Sequence, residues 1–293
     1  MMNDLMTILL ITLTYSTPLI FGALGGVISE KSGVVNIGIE GMMTIGAFVG
    51  AAAAYILGNP WLGFLAGGFA GAIFGLVHAF ASITFRADQT VSGIAINMIG
   101  AGLSLFLSKI IFSGAVNTPP LEDKLPKYFG IEAVTYIAVI LTILMWIFIY
   151  KTKWGLRLLS VGEHPAAADT LGINVFKTRY FAVIMSGFLS GLGGAAVTLS
   201  LVSSFSPTAI AGQGFIALAA VIFGKWTPHG AASSAIIFGL AQAITIYLGG
   251  DSFIPSQIMA MFPYILTIII LVVFVGKSEA PKADGVPYEK GVR

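Results

Sequence analysis

Long apolar runs, bounded by charges, prolines or glycine clusters, alternate along this chain with short polar stretches. A helix needs about 20 mostly apolar residues to cross a bilayer. Because every backbone N–H in hydrocarbon must be paired within the protein, and because the runs are too long for barrel strands, we expect helices. The pattern predicts an all-α polytopic membrane protein with about nine transmembrane helices. The predicted spans are Leu5–Ile28, Asn36–Leu57, Pro60–Phe85, Thr90–Gly114, Ala133–Tyr150, Tyr180–Val202, Ala209–Gly224, Gly230–Leu248 and Ile258–Gly276.

Composition agrees with a membrane protein. Hydrophobic residues make up 57% of the chain and charged residues only 10%, with a mean hydropathy of +0.94, whereas soluble domains carry about 25% charged residues. These values exclude a water-soluble globule. The 36 glycines predict closely packed or interrupted helices, and the lack of cysteine excludes disulfides and thiol nucleophiles. A net charge of +2 gives no reason to expect nucleic-acid binding.

The basic residues are distributed unevenly between the two sides of the predicted bundle. Only Lys124 and Lys127 fall on one side, while Lys109 lies within a span and can reach the interface. Because basic connections favour the cytoplasm, we expect an external N-terminus and a cytoplasmic C-terminus in a multi-pass plasma-membrane protein. The first run has no basic residue before it and is expected to be retained. The bases on the expected cytoplasmic side are Lys31, Arg86, Lys151, Lys153, Arg157, Lys177, Arg179, Lys225, Lys277, Lys282, Lys290 and Arg293.

The chain is expected to form a single transmembrane domain over residues 1–276, which includes a long cytoplasmic connection at 151–179. The polar tail at 277–293 contains two prolines and is expected to be solvated and loose. The tail therefore carries no predicted function.

A short helix is predicted within the long cytoplasmic connection. Pro165 suits a first helical position, three alanines follow, and Gly172 suits the left-handed residue past the end. Ala167, Ala168 and Leu171 are expected on one face, where they would form a knob for a groove in another protein. Spacing alone favours such a docking helix and an ordinary capped turn equally.

Three segments of the chain resemble a known family. Permease subunits of ATP-binding-cassette (ABC) importers for simple sugars, nucleosides and branched-chain amino acids have a coupling-helix segment similar to Trp154-Gly155-x-Arg157-x-x-Ser160-x-Gly162-Glu163-x-Pro165-x-Ala167-Ala168-x-x-x-Gly172-Ile173. The segment 32–43 resembles the start of the second span in nucleoside-type members. The segment 206–224 is similar to the interrupted segment that opens the second half. Sugar-type members often carry an acid where Asn36 stands, so the resemblance is closer to the nucleoside type.

The resemblance implies a transport subunit rather than an enzyme. The chain would translocate a small polar solute and bind no cofactor, while a separate ATPase with two nucleotide-binding domains would use ATP and Mg. A second permease subunit, identical or homologous, with a homologous heterodimer partner favoured, and an extracellular or lipoprotein substrate-binding protein are the other implied partners beside membrane lipid. The ATPase-coupling residues implied by the motif are Gly162, Glu163, His164, Pro165, Ala167, Ala168, Leu171 and Gly172.

Glycines and prolines predict interruptions in two spans, at Gly33–Gly41 and Pro207–Gly214. Interrupted helices expose backbone donors and acceptors, and a pair of them, one in each half of a transporter, indicates the binding region. Polar side chains within the spans are further candidates. If the chain is helical there, Asn36 and Glu40 share a face. The predicted substrate path comprises Asn36, Glu40, Gln89, Ser92, Asn97, Gln213 and Phe215, the last as a ring face for a base.

Each path residue also has a purely structural interpretation. Glu40 is expected to pair with Lys31 or to cap a half-helix rather than to bind solute. Asn97 and Gln213 suit interhelical hydrogen bonds as well as a cavity, and His78 is expected to bond between helices.

Other classes of function are less favoured. Gly276-Lys277-Ser278 ends like a phosphate-binding loop but has Leu271 where its first glycine belongs. An ion-coupled secondary transporter usually buries several acids, and Glu40 is the only acid well within a predicted span. The sequence therefore predicts a nucleoside ABC permease, with a simple-sugar permease as the alternative and an ion-coupled transporter after it.

Overall fold

The computed structural model describes residues 2–249 and 280–290, together with Met261, Ile265 and Ile269. The described part is mainly helical, with one short antiparallel hairpin. Its helices are α1 Met2–Glu30, α2 Ile39–Leu57, α3 Pro60–Ala79, α4 Gln89–Ile111, α5 Ala133–Lys151, α6 Lys153–Glu163, α7 Pro165–Thr170, α8 Val175–Ala196, α9 Gln213–Phe223 and α10 Pro228–Gly249, and its strands are β1 Lys127–Tyr128 and β2 Ile131–Glu132. Short π-helical segments, Phe80–Thr84 and Val197–Val202, extend α3 and α8.

Seven of the described helices are long and apolar enough to cross a membrane. They correspond to the predicted runs except at two places. The ninth predicted span, Ile258–Gly276, lies almost entirely outside the described residues. The spanning segments are Asp4–Glu30, Ile39–Leu57, Pro60–Thr84, Gln89–Ile111, Ala133–Lys151, Val175–Val202 and Pro228–Tyr247.

The prediction of a full span at Ala209–Gly224 is wrong. Only the 11 residues Gln213–Phe223 are helical there, which at 1.5 Å per residue is far short of the roughly 30 Å hydrocarbon core. Ala211 and Gly212 have φ values of +43° and +88°, so right-handed helix cannot extend back through them. This run is therefore a half-helix inside the bundle.

The centre of the bundle is formed by α1, α2, α3 and α8, which pack against one another. Glycines allow this close approach: a Cβ at Gly71 of α3 would lie 2.2 Å from the carbonyl oxygen of Gly187 of α8. A Cβ at Gly46 of α2 would lie 2.4 Å from the Gly191 oxygen. Of the seven spanning segments, α8 is the most buried and α4 the least. The short helix α9 packs on this centre through α1 and α2.

The prediction of a loose tail is wrong for its described part, residues 280–290. Ala283 and Tyr288 are only 7% and 8% exposed, and Tyr288 packs in an apolar cluster with Val161, Ala168 and Val175. Apolar side chains that find a packed neighbour are removed from water, and the tail supplies such side chains between its polar ones. The tail is therefore part of the folded domain.

Candidate functional site

The first interrupted segment, residues 31–38, joins α1 to α2, and side chains of other helices satisfy its backbone. The Val35 N–H donates to Gln89 Oε1 at 2.7 Å, and the Val35 carbonyl lies 3.0 Å from His78 Nε2. His78 Nδ1 is in turn 2.9 Å from the Ser92 hydroxyl. Buried backbone groups outside regular helices need such partners. Gln89, Ser92 and His78 therefore hold the interruption in place.

Asn97 of α4 closes the same segment further along. Its Oδ1 accepts the Gly41 N–H at 2.8 Å, and its Nδ2 donates to the Ile37 carbonyl at 3.0 Å. Both ends of the amide are therefore engaged with backbone. Of its two predicted roles, the structure shows the interhelical hydrogen bonds.

Asn36 lies outside the helix that was expected to place it beside Glu40, since α2 begins only at Ile39. Its side chain is fully buried; Nδ2 donates to Ser186 Oγ at 2.8 Å, and Oδ1 accepts the Gly38 N–H at 3.1 Å. The prediction that Asn36 and Glu40 share a helical face is wrong, because Asn36 points into α8. Sequence reasoning missed Ser186, whose only signal is a serine within the glycine-rich face of α8.

Glu40 joins the two interrupted segments. Its two carboxylate oxygens accept the N–H groups of Gly212 and Gly214, each at 2.7 Å, across 172 and 174 residues. A carboxylate at a helix N-terminus satisfies donors that the helix leaves unpaired and complements its dipole. A Cβ at Gly214 would lie 2.5 Å from the Glu40 Cα, so glycine is required there. Two structural roles were expected for Glu40, and the structure shows the second, the cap of a half-helix.

Gln213 and Phe215 begin the half-helix α9 with more freedom. The Phe215 ring is 51% exposed, and Gln213 is half-buried. Within the described residues the Gln213 side chain has no hydrogen-bond partner, and Gln89 Nε2 is buried without one. Among the predicted path residues, Gln213, Gln89 and Phe215 therefore keep an amide group or a ring face available to bind a solute.

The sequence analysis does not predict a role for a further acid, Glu30, because it lies just past the first predicted span. Glu30, at the end of α1, is 6% exposed and accepts a hydrogen bond from Trp226 Nε1. Trp226 follows α9, so this bond anchors the far end of the half-helix to α1. Both ends of α9 are thus tied to a glutamate of the first half.

The predicted coupling segment forms two helices, α6 and α7, that meet at His164, where the backbone is extended (φ −143°, ψ 80°). Pro165 begins α7 as expected, and Gly172 lies past its end with φ +79°. His164 and Ala167 are exposed, and Leu171 is 81% exposed. These three side chains form the outer face of the segment.

Two residues predicted for coupling face inward instead. Ala168 is 2% exposed and packs against Val161 and Val175, so its expected place on the outer knob is wrong. A Cβ at Gly162 would lie 2.2 Å from the Lys31 carbonyl oxygen, so Gly162 sets a close approach to the interrupted segment. Glu163 lies near Lys31 and favours its charged form, although burial lowers the pKa of Lys31 overall. The inner face thus connects α6–α7 to the bundle.

The tail crosses this junction. The Ala283 N–H donates to the Gly162 carbonyl at 2.9 Å, and the Arg179 guanidinium donates to the Val286 carbonyl at 3.0 Å. Glu289 forms an ion pair with Arg86. The tail therefore links α6, α8 and the connection between α3 and α4.

We expect the docking of the tail to depend on pH through Asp284. Burial, followed by the nearby Glu30 carboxylate, raises the pKa of Asp284, while Arg179 opposes the shift only in part. An acid with a raised folded-state pKa stabilises the docked form below its ordinary pKa, and that contribution is lost as the pH rises through the folded-state pKa. Docking of the tail should therefore weaken as the solution becomes alkaline.

The variant Asp284→Asn should reduce this dependence, because it retains the shape of the side chain without the charge. Hydrogen exchange of residues 280–290 measured from about pH 6 to about pH 9, corrected for intrinsic exchange, should show falling protection in the wild type and a smaller fall in the variant. Asp123→Asn, in the connection between α4 and α5, is the matched control and should behave as the wild type. An identical pH profile in wild type and Asp284→Asn would rule out Asp284 as the titrating group.

The arrangement defines a class of protein. A bundle of spanning helices, two interrupted segments from the two halves that meet at the centre, and a short helical pair outside the membrane are typical of a transport permease. The fold is similar to that of the PsaBC structure from Streptococcus pneumoniae in complex with Fab, with a TM-score of 0.52 at 14% identity, covering 96% of this chain and 93% of that one.

The family follows from the sequence. Residues 8–272 match the family described as branched-chain amino acid transport system / permease component, and the chain belongs to it. The guanosine ABC transporter permease protein NupQ of Bacillus subtilis is 48% identical, with 96% of each chain covered. The nucleoside ABC transporter permease protein NupC of Lactococcus lactis is 45% identical, with 98% of each covered. The guanosine ABC transporter permease protein NupP of Bacillus subtilis is 25% identical, with 92% of this chain and 81% of NupP covered.

Proposed function

We propose that this chain is the membrane-spanning permease subunit of an ATP-driven ABC importer that carries a nucleoside across the plasma membrane. The observation that carries the proposal is the near-full-length similarity to two nucleoside ABC permeases. This extent of identity covers both interrupted segments and the coupling segment together. A simple sugar is the alternative solute.

The residues at the start of α9 support a nucleoside. Gln213 offers an amide and Phe215 a half-exposed ring, which suit the hydrogen-bonding edge and the face of a base. Both oxygens of the Glu40 carboxylate accept backbone N–H groups at the start of α9, so this acid is engaged within the protein. The two recognition groups, Gln213 and Phe215, are uncharged and suit a neutral solute better than an ion.

Partners are implied by the family and by the exposed surfaces. The same Bacillus transporter contributes two permease proteins similar to this chain, which supports a homologous second permease as the partner. The spanning helices α4 and α5 present many exposed apolar side chains, such as Met98 and Ile140, for lipid and for that subunit. An external substrate-binding protein and an ATPase with two nucleotide-binding domains complete the proposed assembly.

Coupling is proposed to run from α7 to the interrupted segments. The outer face of His164, Ala167 and Leu171 would meet the ATPase in the cytoplasm, with the N-terminus of the chain outside the cell. Movement of α6–α7 would pass through the close contact of Gly162 with Lys31 to residues 31–38. From there Glu40 leads to α9. ATP acts through the different affinity of the closed ATPase for the two permease states.

Uptake by the complete transporter tests this proposal. Cells expressing the permease pair, the ATPase and the binding protein should accumulate radiolabelled guanosine or uridine, because the path suits a neutral nucleoside. Unlabelled nucleosides should compete, whereas ribose, glucose and leucine in the same excess should not. A catalytically inactive ATPase is the control and should abolish uptake.

Two outcomes would contradict the proposal. Competition by ribose or glucose alone would assign a sugar. Uptake that persists with the inactive ATPase but collapses with a protonophore would assign an ion-coupled transporter.

A further inference from the structure

A cavity of about 620 Å³ lies beside the coupling segment and away from the interrupted helices. It is enclosed by the end of α5, by α6, by the turn after α7 and by the start of α8. Neither Glu40 nor any residue of the predicted path lines it. The nucleoside path therefore does not explain this cavity.

One side of the cavity is apolar and belongs to spanning helices. Phe148 of α5 and Phe181 of α8 form a ring pair with centroids 6.3 Å apart, and Phe181 is 48% exposed. Both residues lie in segments that cross the membrane. This wall therefore continues into the hydrocarbon, where an acyl chain can lie against it.

The other side of the cavity carries positive charge, at the level where α5 ends and α8 begins. The guanidinium of Arg157 lies over the Trp154 ring, 5.3 Å from its centroid, and Lys177 lines the same cavity from α8. In the part of the chain that the structure describes, neither base forms an ion pair with an acid. Trp154 is 68% exposed, as is common for tryptophan at a membrane interface.

We propose that this cavity binds an anionic phospholipid of the inner leaflet. Its phosphate would lie between Arg157 and Lys177, which provide forked and single-point donors for phosphate oxygens. One acyl chain would lie along Phe148 and Phe181. An uncharged solute does not need the two bases, and a water-soluble protein does not match a wall that continues into the membrane. Charge and position together favour a lipid.

The location gives the lipid a consequence for transport. The cavity is lined by Leu158 of α6 and by Gly172 and Ile173 just after α7. A bound lipid would therefore brace α6–α7 against the parts of α5 and α8 that line the cavity, while the tail holds the face that contains Ala168. Anionic lipid should stabilise the position of the coupling helices against the bundle.

Native mass spectrometry of the purified permease pair, exchanged from detergent into phosphatidylglycerol or phosphatidylcholine at equal concentration, tests the proposal. The wild type should retain phosphatidylglycerol about 25-fold better than phosphatidylcholine, since each of the two bases near an anionic lipid contributes roughly fivefold. The double variant Arg157→Ala with Lys177→Ala should lose most of that preference. The double variant Lys153→Ala with Lys282→Ala, which removes two exposed bases outside the cavity, should keep it.

Three results would overturn the proposal. The first is equal retention of the two lipids by the wild type. The second is an unchanged preference in the Arg157 and Lys177 variant, whose melting temperature is measured in parallel to show that it is folded. The third is displacement of phosphatidylglycerol when the ATPase is added, because the cavity would then belong to the ATPase interface.

Discussion

Replacing Ala167 by tryptophan is expected to reduce nucleoside uptake by roughly 100-fold, equivalent to about 2.7 kcal/mol. Ala167 is exposed at the centre of the outer face of α7, and an indole there would hold the ATPase away from its proposed docking position. Because the side chain points outward, the permease itself should fold normally. Uptake, membrane abundance and co-purification of the ATPase are the three measurements, and only the abundance should be unchanged.

The control for this prediction is Ala87→Trp, an exposed alanine in the connection between α3 and α4 on the same expected side of the membrane. It should leave uptake near the wild-type value. Leu171→Asp tests the outer face independently and should also lower ATPase binding. Wild-type uptake by the Ala167 variant would remove α7 from the coupling path.

The structure distinguishes two neighbouring alanines, Ala167 and Ala168, that the sequence places on one face. The coupling sequence predicts the helix, its start at Pro165 and its end at Gly172, but it does not separate Ala167 from Ala168. The separation depends on the tail, because Tyr288 packs against the face that contains Ala168. That contact joins residues more than 100 positions apart, which no local pattern encodes. A tryptophan at Ala168 would disrupt packing and would not test docking.

Apolar runs predict most of the spans because a bilayer imposes their length and composition. They fail at Ala209–Gly224, since hydropathy does not register that Ala211 and Gly212 adopt positive φ. The start of α9 is fixed instead by a carboxylate from the other half of the chain. Local sequence predicts an interruption at Pro207–Gly214, and the structure places the start of the helix at Gln213.

The polar candidate residues also show what local sequence can predict and what depends on tertiary structure. Sequence identified Asn36, Gln89 and Asn97 because polar side chains inside spans need partners. It could not tell whether those partners are solute or backbone. All three bond the interrupted segment or its neighbours, so rigid placement of that segment uses most of the polar groups available. Recognition of solute is left to fewer residues, with Gln213 and Phe215 foremost.

Replacing Glu40 by alanine should abolish uptake and lower the melting temperature of the purified permease. The change leaves the N–H groups of Gly212 and Gly214 without their acceptor, and each unpaired buried donor costs about 1–3 kcal/mol. Glu40→Gln should show the same direction with a smaller effect, since its amide oxygen keeps one of the two acceptor positions while its NH2 group cannot accept at the other. Melting and uptake are measured on the same preparations.

A simultaneous loss of stability and uptake distinguishes a structural role for Glu40 from direct binding of the solute. If Glu40 bound the nucleoside directly, Glu40→Ala would raise the half-saturating concentration while leaving the melting temperature unchanged, and that result would contradict the capping role. Glu122→Ala, which removes an exposed acid from the connection between α4 and α5, should alter neither quantity. Because Glu40 connects residues 31–41 to α9, its loss would also interrupt the proposed path from α7 to the solute even where the half-helix itself survives.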